Sequence, residues 1–389
     1  MEKKVYLSTT VLIAAMASIV TFAATSWWTF ETNKNNDELV NHINEVDEYI
    51  DEYYYGDYDK QTVIDYTLKG MVAGLEDPYS GYMNSDEYSQ NIISTKGSVT
   101  GIGVTVTLNE DNFLLITEVT NGGPAEECGI LAGDIITNVD DMDISELGYN
   151  EAVNHVRGEI GTDVKITVLR NSKTLDFTVT RREIITPTVT GKILDDNIGY
   201  IRITSFKETT TEQYKKELKK CLDSNVKAII FDVRDNGGGL VSSCSECLDP
   251  LLPEGEIAIA EFKDGSTELI CESDKSEIDI PVAVIVNQNS ASAAELFTAA
   301  LRDFKNAQIV GKNTYGKGIM QNTYSLENGD AIRLTIAKYR TTKSECYHGT
   351  GIAPDFEVEL PEKYSETAIE NIPQENDTQL QKAIDILEQ

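Results

Sequence analysis

Four apolar runs between Thr186 and Val310 constrain this chain more than any other feature: IGYIRITSF at 198–206, KAIIFDVRD at 227–235, VAVIV at 282–286 and AQIV at 307–310. Each is short enough for a buried strand. Between them lie stretches with helical spacing, at Thr210–Ser224, after the glycines of GGGL, and from Ser290 to about Phe304. Strand and helix in alternation imply a largely parallel sheet with helices covering it, because a parallel neighbour can be reached only by a crossover connection.

The rest of the chain has a different character. Helical spacing marks Asp37–Tyr54 and Gln61–Leu75, and the turn signals of LEDPYSGYM at 75–83 follow. Short β-branched runs (VTGIGVTVTL, FLLITEVT, DIITNVDD, KITVLR, LDFTVTRR) then surround one helix near Asn150–Arg157, which predicts a small half-open barrel. The expected division is a membrane segment at 1–30, a helical region at 31–94, a small β domain at 95–183, the α/β core at 184–361, and a linker with a short amphipathic helix at 362–389. Helices at both ends of the soluble chain offer surfaces for a homodimer.

Lys3 and Lys4 precede 26 uncharged residues, Val5–Phe30. As a helix that run spans about 39 Å, enough to cross a bilayer. Basic residues before it and Glu31 after it place the large domain outside the cell membrane as a single-pass protein, with secretion after signal cleavage near Ala23 and Ala24 as the alternative. A net charge of −32 argues against nucleic acid as a partner. Six scattered cysteines, the Cys244–Cys247 pair included, suggest buried thiols rather than a metal site or disulfide framework.

The chemistry concentrates in two stretches of one αβ unit. NQNSASAAE at 287–295 flanks Ser292 with small residues, and GKNTYGKGIMQ at 311–321 flanks Lys317 with glycines. A serine hydroxyl needs a base to become a nucleophile, and a lysine can serve once desolvation lowers its proton affinity. Tyr315 and Ile319 can wall Lys317 from water, and no acid occurs between Asp303 and Glu327. Of the three histidines, His348 alone is placed to approach Ser292. Gly311, Gly316 and Lys317 also fit a phosphate-binding loop, but Gly318 replaces its magnesium-binding hydroxyl and a strand follows where a helix is required. Acyl transfer needs donors for an oxyanion, and the backbone N–H groups of Gly238 and Ala293 are the candidates.

These segments resemble the carboxyl-terminal processing (tail-specific) serine peptidases that carry a PDZ domain, from about Leu75 to the last helix. That family places its serine in an S-A-S-A-type segment and its lysine in G-K-G, 25 positions apart; here 317 − 292 = 25, which selects Ser292 over Ser290. The resemblance implies Ser292 as nucleophile, Lys317 as general base and Gln321 as the residue that orients the lysine, with no cofactor and no metal. Asp232–Gly239 resembles the family's oxyanion loop and Gly351–Asp355 the G-I-x-P-D that closes its core. Gly237 stands where many members have proline, and Ala294 replaces a second serine. Its implied fold is an α/β, crotonase/ClpP-like peptidase core beside a β-rich PDZ domain. In the PDZ domain, Gly101, Ile102, Gly103 and Val104 resemble the loop that holds a peptide's C-terminal carboxylate. The implied activity is an extracytoplasmic endopeptidase acting on proteins with accessible C-terminal tails; the rival is a catalytically silent PDZ adaptor.

Overall fold

A computed structural model describes residues 38–388. The apolar run Val5–Phe30 lies outside them, and among the described residues no helix is long and apolar enough to cross a membrane. The described residues up to Ile64 belong to one compact unit and those from Asp65 to another. In the first, residues 38–53 form a helix whose Leu39, Val40, Ile43 and Val46 are exposed. A second helix spans Lys60–Ala73.

The PDZ domain is an antiparallel sheet in the order Val104–Leu108, Leu114–Val119, Ile135–Val139, Asp163–Arg170 and Lys173–Thr180. Alternate residues point inward, so Leu114 and Ile116, and Val164, Ile166 and Val168, meet Ala152 and Val156 of the helix Tyr149–Val156. Ser98–Gly101 pairs with Arg182–Ile185, bringing the domain's entry and exit together.

The expected parallel sheet has six strands in the order Val189–Ile193, Ile198–Ile203, Ala228–Asp232, Val282–Val286, Gln308–Gly311 and Phe356–Glu357; the first pairing is antiparallel and the rest parallel. Both faces of the central strands are covered, which explains why Ile198–Ile203, Ala228–Asp232 and Val282–Val286 are buried throughout rather than alternating. Ile229, Phe231 and Val284 face Tyr214, Leu218, Leu296, Phe297 and Leu301 of the helices Thr210–Asp223 and Ala293–Lys305. Ile230, Ala283 and Ile285 face Leu380, Ala383 and Ile384 of the final helix, Thr378–Leu387.

Three features depart from the sequence reading. A second, antiparallel sheet joins Gly81–Met83, Ala331–Thr341, Gly255–Phe262 and Thr267–Ser273, with Ile319–Ser325 also on Ala331–Thr341. Gly255–Phe262, Thr267–Ser273 and Ala331–Thr341 carry charges among their apolar residues, so no clear period betrays them. A helix at Ser85–Lys96, started by an Asn84–Glu87 capping box, follows the LEDPYSGYM segment. The stretch Glu362–Asp377 is ordered by three short 3₁₀ turns, with Ile369 and Ile372 buried.

Candidate active site

Ser292 sits between the strand Val282–Val286 and the helix Ala293–Lys305, with φ +56° and ψ −118°. A side chain rarely adopts such a backbone, and one held there at a strand-to-helix turn is thrust out from the loop. Gly238 abuts it: a Cβ there would lie 2.7 Å from Ser292 Cβ and 2.8 Å from the Ala291 carbonyl, so the loop approaches only because position 238 has no side chain. Ser290 is fully buried, donating to the Val233 carbonyl at 2.7 Å and accepting from the Asn287 N–H at 3.0 Å.

Glu295 joins the serine to the lysine. This fully buried carboxylate accepts from the Ser292 N–H at 2.9 Å and the Lys317 N–H at 2.8 Å through one oxygen. Its other oxygen accepts from the Gly316 N–H at 2.7 Å and the Thr314 hydroxyl at 2.5 Å. Four donors on one carboxylate fix both loops at once, and they compensate the charge for losing water. The pattern S-x-x-E, a helix-start signature, carried the signal for Glu295 in the sequence.

Lys317 is half-buried, its Nζ 4.4 Å from the centre of the Tyr79 ring. Burial lowers its proton affinity, the Arg333 charge adds to that, and Asp77 opposes in part. Tyr339, itself buried, places its hydroxyl 3.4 Å from Ser292 Oγ and donates to the Lys317 carbonyl at 3.1 Å. Among the described residues no hydrogen bond joins Ser292 Oγ to Lys317 Nζ. Gln321, beside a bulge in its strand, donates from Nε2 to Thr335 Oγ1 at 3.1 Å rather than to Lys317. Neither Tyr79 nor Tyr339 lies near the lysine in sequence, and nothing local marks them.

The two expected oxyanion donors differ. The Gly238 N–H donates to Asn236 Oδ1 at 2.8 Å, whereas the Ala293 N–H, in the first turn of its helix, has no acceptor among the described residues. Beneath this loop the fully buried Arg234 bonds Asp232, Asp377 and Gln379. Burial works against the Asp232 carboxylate, but the Arg234 guanidinium outweighs it and holds the acid below the usual carboxylate range.

In the PDZ domain, Gly103 has φ +80° and the N–H groups of Ile102 and Gly103 have no acceptor among the described residues. They open onto a groove of about 660 Å³ between the strand Val104–Leu108 and the helix Tyr149–Val156, lined by Leu114, Val153, Val156 and Arg157. Gly101 and Val104 flank the same opening. His348 is exposed and makes no hydrogen bond to Ser292 among the described residues. All six cysteines are free, with Cys244 and Cys247 buried, and no cluster of metal-ligating side chains occurs among the described residues.

Known proteins resemble this chain. The profile of peptidase family S41 matches residues 197–358, that of the PDZ domain residues 100–180, and that of the activating protease CtpB N-terminal domain residues 12–87. The carboxy-terminal processing protease CtpA of Bacillus subtilis is 34% identical over 328 residues, covering 84% of this chain and 70% of the relative. A Staphylococcus saprophyticus protein described as CtpA-like is 31% identical over 360 residues, covering 92% of this chain and 73% of its own. A structure from Bacteroides fragilis assigned to the S41 proteases superposes with a TM-score of 0.51 at 18% identity, covering 87% of this chain and 94% of that one, which speaks for the fold alone. Identity to CtpA over most of both chains, together with the S41 and PDZ profiles, shows that the chain belongs to the carboxy-terminal processing serine proteases of peptidase family S41.

Proposed function

We propose that the chain is an extracytoplasmic endopeptidase that takes protein tails into its PDZ groove and cuts with Ser292 as nucleophile and Lys317 as general base. The observation that carries this reading is the Glu295 carboxylate, which bonds the backbone of both residues and brings them to one site. A lysine base must be neutral, and burial beside Arg333 favours loss of its proton. Residues 1–30 would anchor the protein in the membrane, or be removed on secretion.

In the proposed reaction Lys317 Nζ takes the Ser292 proton as Oγ attacks the scissile carbonyl carbon. The Ala293 N–H meets the developing oxyanion, and Gly238 joins it if Asn236 releases the N–H it now holds. Collapse breaks the C–N bond, and the lysine returns its proton to the leaving amine. A water then hydrolyses the acyl-serine by the same proton path. Substrate draws Lys317 and Ser292 into hydrogen-bond contact, a tightening common when a free site is filled. Through Thr335, Gln321 supports the wall of the lysine pocket.

The test is cleavage of a disordered protein, with free or amidated C-terminus, by the full chain, Ser292→Ala and Lys317→Ala, read by mass spectrometry. Cuts near free tails should vanish in both variants, by at least about 10³-fold. Cutting that survives in Ser292→Ala overturns the nucleophile, and survival in Lys317→Ala overturns the base. Equal cutting of amidated tails overturns carboxylate recognition.

A further inference from the structure

The lysine pocket takes one wall from a segment that precedes the PDZ domain. Asp77 accepts from the Tyr79 N–H at 3.0 Å and the Ser80 hydroxyl at 2.6 Å, and Ser80 Oγ accepts from the Thr335 N–H at 3.0 Å. Gly81–Met83 then pairs antiparallel with Ala331–Arg333. So fastened, the turn lays the Tyr79 ring against Lys317, while the Tyr79 hydroxyl meets that of Tyr315 at 3.1 Å. That hydrogen bond first, and burial second, push Tyr79's own ionisation up to about 12, so the ring is a neutral phenol at physiological pH.

We propose that Tyr79 is a positioning residue of the peptidase reaction: its ring seats the Lys317 side chain and keeps water from Nζ, so that the base can shed its proton. This rests on Lys317 being the general base. Arg333 and Asp77 act on it through charge, with opposite signs. Glu295 spends its oxygens on backbone N–H groups and Thr314, and Tyr339 donates to the Lys317 carbonyl. The ring itself has two opposed effects: its π face attracts an ammonium, and its bulk excludes the water that would solvate one. Burial is the largest influence on Lys317, and in this proposal the ring's share of that burial exceeds its attraction for the charged form.

Trace acetylation of the full chain with acetic anhydride across a pH series, read peptide by peptide by mass spectrometry, follows the proton on Lys317 without any need for cutting. The exposed Lys275 serves as internal reference. In the wild-type chain the Lys317 midpoint should lie below that of Lys275. In Tyr79→Ala it should rise by about one pH unit, so that reactivity near neutral pH falls roughly tenfold. In Tyr79→Phe, which keeps the ring and loses the Tyr315 contact, it should stay in place. Tyr79 is only half-buried, so its truncation opens no core cavity; Tyr79→Asn, which also admits water, repeats the test should Ala not fold. An unmoved midpoint in Tyr79→Ala or Tyr79→Asn overturns the proposal, as does a shift in Tyr79→Phe as large as that in Tyr79→Ala. Neither result touches the general-base reading, which fails separately if Lys317→Ala still cuts.

Discussion

The serine and the lysine are held in unlike ways. Ser292 is fixed through its own backbone, by a left-handed turn, a buried helix and a glycine pressed against it. Lys317 shares the Glu295 anchor at its N–H, but beyond its backbone the long side chain relies on contact with an aromatic ring. In the proposed roles the nucleophile must stand still in one place, whereas the base must change charge and so must be held by something that tolerates both states. Packing does that better than a fixed ion pair.

The sharpest way to break the contrast is to remove the anchor both share. Glu295→Ala should loosen the two loops together; at about 3 kcal/mol for a buried charged acceptor, cleavage should fall roughly 10²-fold. A loss confined to binding, with kcat unchanged, would contradict it. Next in size, Tyr339→Phe removes the hydroxyl beside Ser292 Oγ and should lower kcat by about fivefold, the worth of one net hydrogen bond, with KM unchanged. The pH dependence sharpens the lysine side. Cleavage should climb as Lys317 deprotonates, with a midpoint below the ordinary lysine value of 10.5, and Lys317→Arg, always charged, should stay inactive at every pH. The smallest effect concerns stability. The folded chain holds Lys317 below its unfolded proton affinity, so a penalty is present at neutral pH and fades as pH rises to the unfolded value. Lys317→Met should therefore melt slightly higher than wild type near neutral pH, and equally above about pH 10.5. A lower melting temperature at neutral pH would count against a desolvated lysine.

Sequence carried the parallel sheet well, because strands buried on both faces are apolar without interruption and the helices between them have a clear period. Short motifs singled out Ser292 and Lys317, whose backbones meet at one carboxylate, and the small residues flanking the serine serve the close approach seen at Gly238. Of the antiparallel sheet only Ile319–Ser325 was legible as a strand, since Gly255–Phe262 and Thr267–Ser273 mix charges with apolar residues and their register is settled only by partners distant in the chain. Glu295 had a local signature and Tyr79 had none: a ring that meets a lysine across a folded sheet leaves no spacing to read. Gln321 shows the converse, for a motif position four beyond the lysine finds its hydrogen bond on Thr335.

The pairing of Gly81–Met83 with Ala331–Arg333 bears on how this protein can be cut into parts. A fragment that began after the PDZ domain would retain Ser292, Lys317 and Glu295, yet it would bare one side of Ala331–Arg333, at the start of the strand Ala331–Thr341. Open backbone of that kind recruits other chains. Sequence order makes the peptidase look like a cassette that follows its PDZ domain, but as a folded object it starts before that domain and is interrupted by it.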